Sequence, residues 1–85
     1  MIQFTLGMAD ILHATGFGIF RTRSLMNRPY PLTFTKRHGP KGGNATRFYR
    51  LSDILARCRQ YRRFTEEMAH QLIAADAAYR KENKL

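Results

Sequence analysis

Two prolines and one glycine-rich tip decide how this chain can be divided. Pro29 and Pro31 each bias the preceding residue away from helical backbone, so a helix begun upstream stops at Arg28. The run Gly39-Pro40-Lys41-Gly42-Gly43-Asn44 interrupts regular structure again and suits a hairpin loop longer than a tight two-residue turn. What remains is an N-terminal part sized for short helices, a middle sized for short strands, and a C-terminal part. With 85 residues, the expectation is one domain, 1–85, with a modest core.

The hydrophobic spacing fills in those parts. Residues Gln3 to Leu6 read as a lead-in with one short strand. Met8, Ile11, Leu12 and Thr15 lie at i, i+3, i+4 and i+7, which predicts a helix from Met8 to Thr15, with Gly16 as a left-handed stop. A second helix is expected from Ile19 to Arg28, with Gly18 at its N-cap. At about 100° per residue, Ile19, Thr22 and Met26 share one side, Arg21, Ser24, Asn27 and Arg28 lie broadly opposite, and Arg23 falls nearer the buried flank.

Leu32 to Lys36 alternates apolar and polar residues, and Thr46 to Arg50 is β-prone, so the two predict a hairpin across the glycine tip. Alternation is read as turning Phe34 and Phe48 inward and Tyr49 the other way. Ser52 is the expected N-cap of a third helix, with Asp53 in its first turn and an apolar stripe of Leu51, Ile54, Leu55, Cys58 and Tyr61. Thr65 caps a C-terminal helix, 65–81, with Glu66 and Glu67 at its positive end, Arg80, Lys81 and Lys84 at its negative end, and an apolar edge of Phe64, Met68, Leu72, Ala75 and Tyr79. The order is helix, turn, helix, hairpin, helix, helix. That is an α+β class with a winged helix-turn-helix order of elements.

Charge then bears on the partner. Between Ile11 and Ser52 there is no Asp or Glu, yet the stretch holds Arg21, Arg23, Arg28, Lys36, Arg37, Lys41, Arg47 and Arg50. The whole chain carries a formal +9, and its 44% apolar content is too high for a disordered basic tail, so the charge is expected on a folded surface. A one-signed surface of this kind matches a polyanion, because each neutralised phosphate releases condensed counterions.

The run Met8-Ala9-Asp10-Ile11-Leu12 to Gly16, followed by a short basic helix, resembles the helix-turn-helix of excisionase-like and MerR-like DNA-binding domains. Arg47-Phe48-Tyr49-Arg50-Leu51-Ser52-Asp53-Ile54-Leu55 looks like the strand that leaves the wing and enters the next helix in that superfamily. The resemblance covers roughly Gln3 to Tyr61. The chain departs from it in placing Gly18 where a Ser or Thr cap is usual, and in a longer, more glycine-rich wing. The resemblance implies an excisionase, or recombination directionality factor. Such proteins load onto repeated sites, bend double-stranded DNA and favour excision by a tyrosine recombinase, without chemistry of their own and in some cases with cooperative self-association. Small transcriptional regulators of phages and integrative elements share the pattern.

On this reading Arg21, Ser24, Asn27 and Arg28 of the second helix face base edges, where Arg can fork to guanine and Asn to adenine, while Arg23 meets the backbone. Lys36, Arg37, His38, Lys41, Asn44 and Arg47 on the hairpin reach the neighbouring minor groove or its phosphates, and Arg50 and Arg57 are further candidates for phosphate contact. The bland alternatives are a solvated basic face and an exposed loop with incidental charge. Arg57, Arg59, Arg62 and Arg63 form a second cluster that either clamps phosphates or simply suits a helix C-terminus.

Other chemistries fit less well. The tip lacks the GxxxxGK[ST] and GxGxxG patterns of nucleotide loops. His13, His38, His70 and Cys58 share no metal-ligand spacing, and the six carboxylates form no acid–base pair, so no cofactor, metal or enzymatic activity is expected. A single cysteine excludes an internal disulfide and fits a reducing cytoplasm; the resemblance implies a bacterial one. The chain shows neither a secretion signal nor an apolar run near the roughly 18 residues of a membrane span. A basic RNA-binding protein is the rival of another class; it would need exposed stacking aromatics.

Overall fold

The strand that leaves the hairpin runs straight into a helix, and that junction organises the domain. A computed structural model describes residues 3–37 and 45–83. In chain order the elements are β1 (Phe4–Gly7), α1 (Met8–Thr15), α2 (Ile19–Asn27), β2 (Phe34–Arg37), β3 (Thr46–Arg50), α3 (Leu51–Cys58) and α4 (Glu66–Glu82). Among the described residues the result is an α+β domain of four helices and one three-stranded antiparallel sheet, ordered β1-β3-β2. No described helix is long and apolar enough to cross a membrane.

Glycine sets the turn between α1 and α2. Gly16 ends α1 in left-handed backbone, φ 67°, and its N–H donates to the Leu12 carbonyl. Gly18 caps α2 at φ 66° and ψ 160°, a region open essentially to glycine alone. A Ser or Thr there would be strained. The backbone required at this turn therefore accounts for the missing hydroxyl cap.

Sheet register decides which aromatic enters the core. β2 and β3 pair Phe34 with Tyr49, Thr35 with Phe48 and Lys36 with Arg47. Phe34, Lys36, Arg47 and Tyr49 therefore share one face, and Leu6 of β1, opposite Tyr49, joins them. Tyr49, 2% exposed, packs with Leu6, Ile11, Met26, Leu32, Ile54, Cys58 and Leu72, and half-buried Phe34 lies against them. Phe48 turns to the opposite face and meets Tyr79 of α4 with ring centroids 5.8 Å apart. The inward assignment thus holds for Phe34 and is reversed for Phe48 and Tyr49. Alternation separates two neighbours onto two faces but does not say which face is the core; cross-strand register does.

Two boundaries also move. Leu32 is buried but precedes the strand, its N–H bound to the Met26 carbonyl at 2.9 Å. α3 starts at Leu51 with Arg50 as N-cap, not Ser52, because β3 feeds the helix without a linker and the Asp53 carboxylate takes Arg50 Nε at 2.9 Å. Thr65 does cap α4, its Oγ1 accepting from the Met68 N–H at 3.2 Å. α4 packs on α1, β1 and α3. Its buried edge includes Ala69, Leu72 and Asp76, whose carboxylate accepts from buried Thr5 Oγ1 and from Arg80 Nε.

Cys58 lies fully inside the core. Burial pushes its thiol up to about 11, with the Arg57 charge beside it pulling weakly the other way. The folded thiol keeps its proton to higher pH than the unfolded one, so this contribution to stability is complete below 9.0 and declines as pH rises toward 11. At pH 8 a thiol-reactive dye should therefore leave the native protein unlabelled and modify one thiol per chain in denaturant. Rapid labelling of the folded chain would show that the core opens there.

Candidate nucleic-acid interface

α2 meets the sheet across a cleft of about 390 Å³ lined by Met8, Arg23, Asn27, Thr46, Arg47 and Tyr49. Its floor is the buried Tyr49, its α2 wall carries Arg23 and Asn27, and its β3 wall carries Arg47. Among the described residues no carboxylate lines it. Arg47 is exposed, and its guanidinium carbon lies over the Phe34 ring, 4.3 Å from the centroid, so the cation is braced on the ring while it stays at the surface. Lys36 is Arg47's cross-strand partner and is also exposed.

Arg23 is the second-helix residue whose placement changes most. The helical spacing predicts it near the buried flank, yet it is exposed and lines the cleft beside Asn27. The cause is Ile19, which is 42% exposed and no part of the core; α2 buries Thr22 and Met26, with Leu25 half-buried. The buried stripe is thereby rotated toward Leu25, which frees Arg23. Asn27 Nδ2 donates to the Arg23 carbonyl at 2.8 Å, tying the two residues together on one side of the helix.

The other expected second-helix contacts are distributed differently. Arg21 is exposed but sits over the Tyr61 ring, 5.1 Å from its centroid, and Tyr61 in turn meets Phe17 edge-on at 5.0 Å. Arg21 therefore flanks the start of α2 on the side away from the cleft. Ser24 is half-buried. Arg28 is the exposed C-cap.

The cationic surface is also narrower than the charge count suggests. Arg37 and Arg50 lie on the opposite sheet face from Arg47. There Arg37 stacks on Phe48 and donates to the Tyr79 hydroxyl, while Arg50 sits over Phe4 and pairs with Asp53. Arg57 is 5% exposed, and its guanidinium donates to the carbonyls of Leu25 (2.7 Å), Arg28 (2.6 Å) and Tyr30 (3.0 Å). Those carbonyls end α2 and begin the next turn, at the negative end of the helix dipole, and the last turn of α2 carries no basic residue. Arg57 is a buried clamp on the end of α2 and not a surface cation. His38, Lys41 and Asn44 lie outside the described residues.

Phe20, which the charge pattern does not single out, is 83% exposed on α2. The signal was available: it stands seven residues before Asn27 and three before Arg23, on the polar side of the helix.

No family model, curated protein or solved structure matches the chain.

Proposed function

We propose that the chain is a winged helix-turn-helix protein that binds double-stranded DNA, with α2 in the major groove and the β2–β3 hairpin against the adjoining backbone. The observation that carries this reading is the shared cleft: Arg23, Asn27 and Arg47 converge on one acid-free surface, with Lys36 beside Arg47. Arg and Asn are the side chains suited to forked bonds with guanine and adenine edges, and the neighbouring cations Arg47 and Lys36 are suited to phosphate contact. RNA recognition through stacked strand aromatics is disfavoured, because Tyr49 is buried and Phe34 is covered by Arg47.

The resemblance to excisionases extends the proposal to an architectural role: loading on repeats beside an attachment site and bending the duplex for a tyrosine recombinase. Bending a 20–30 bp site costs on the order of 1–6 kcal/mol, which several charge-assisted contacts can offset. A transcriptional regulator of a mobile element would use the same surface.

Titration of labelled duplexes at several salt concentrations tests the binding. The expected result is tight association at low salt with a steep negative slope of log affinity against log salt, and weaker association with RNA duplexes. Lys36→Ala should weaken binding to specific and random duplexes alike and make the slope shallower by about 1. A slope unchanged by Lys36→Ala would take the hairpin out of the interface, and no binding at low salt would end the DNA reading.

A further inference from the structure

Among the described residues Phe20 is the most exposed large apolar side chain, and the fold does not use it. α2 is held to the core by Thr22, Met26 and half-buried Leu25, and its far end is held by Arg57. One exposed phenyl ring is ordinary on a protein surface; this one is informative by its place, on the same side of α2 as the cleft residues Arg23 and Asn27. The spacing of Phe20, Arg23 and Asn27 puts them along one side of the helix, with Phe20 about one turn before Arg23 and two before Asn27, the two residues that line the cleft.

That neighbourhood narrows the partner. A second copy presenting the same side would bring Arg23 and Arg47 against their own counterparts with no carboxylate on the cleft to offset them. A DNA major groove satisfies both needs at once, since it supplies acceptors for the arginines and an apolar feature, the C5-methyl group of thymine. We infer that Phe20 is a specificity residue that packs against a thymine methyl group next to the bases facing Arg23 and Asn27. This inference rests on the DNA-binding reading above.

The test starts from a preferred site, selected with the full chain from a pool of duplexes containing a randomised 20 bp segment. Each thymine of that site is then replaced in turn by deoxyuridine, which removes the methyl group and keeps the pairing. At one position at least, the wild-type protein should lose about three- to fivefold in affinity, as expected for one lost apolar contact. Phe20→Ala should bind the thymine site more weakly by a similar factor and be indifferent to uracil at that position. Phe20→Leu, which keeps an apolar contact, should keep part of the sensitivity. Circular dichroism should show all three proteins equally folded, since the side chain lies outside the core.

Uracil tolerated at every position would overturn the inference, as would a methyl effect of equal size in Phe20→Ala. In both cases a selected site that still weakens with Arg23→Ala leaves the DNA reading standing. A pool that yields no binding at all would remove that reading, and the inference with it.

Discussion

Arg57→Ala should lower the unfolding free energy by about 3 kcal/mol, a large part of what a domain of this size has to spare. The substitution removes three hydrogen bonds from a charged donor and leaves the carbonyls of Leu25, Arg28 and Tyr30 without it at the end of α2. It also removes the positive charge that faces the negative end of that helix. For a chain of this length the loss corresponds to a fall in Tm of roughly 12–24 °C. Arg57→Lys should recover little, because an ammonium lacks the planar fork that reaches three acceptors. Thermal or urea unfolding followed by circular dichroism measures it; a loss below about 1 kcal/mol would mean that water replaces the guanidinium at no cost.

Arg23→Ala and Asn27→Ala should each cost about 1–3 kcal/mol on the preferred duplex while changing affinity for random duplex much less, so that sequence preference is relaxed. Their shared wall of the cleft, opposite Arg47, is the basis of this expectation. Both side chains are exposed, so folding should be unaffected, and a loss of binding reports the interface alone. Arg37→Ala is the internal control: its guanidinium is occupied by Phe48 and Tyr79 on the far sheet face, and affinity should change little. Equal losses on specific and random DNA for Arg23→Ala would place that residue on phosphate instead of a base edge.

Much of the fold was legible in the sequence because its boundaries are written in backbone chemistry. Gly16, Gly18, Thr65 and the Pro29/Pro31 pair act locally, and the helices they delimit begin and end within a residue or so of expectation. What escaped depends on contacts between elements distant in sequence. Whether Phe48 or Tyr49 entered the core required the register with Phe34, and whether Arg57 faced solvent required the end of α2 to be beside it. Asp76 looked like one more scattered carboxylate until Thr5, on the first strand, supplied its partner. The site suffered from the same limit. Charge counting sees Arg37, Arg47, Arg50 and Arg57 as equivalent, whereas the sheet sends the first and third to one face, the second to the other, and α3 buries the fourth. One difference is local: Ile19 is apolar yet exposed, so the buried stripe of α2 turns toward Leu25 and leaves Arg23 and Phe20 outside.

The most direct measurement is a titration of isotope-labelled protein with a preferred duplex, followed residue by residue by nuclear magnetic resonance. If α2 and the Arg47 face of the sheet contact DNA, the largest shifts fall on Phe20, Arg23, Asn27, Lys36 and Arg47, while Arg37, Arg50 and Tyr79 on the opposite face stay close to their free positions. Shifts concentrated on that opposite face, or spread evenly over both, would contradict it.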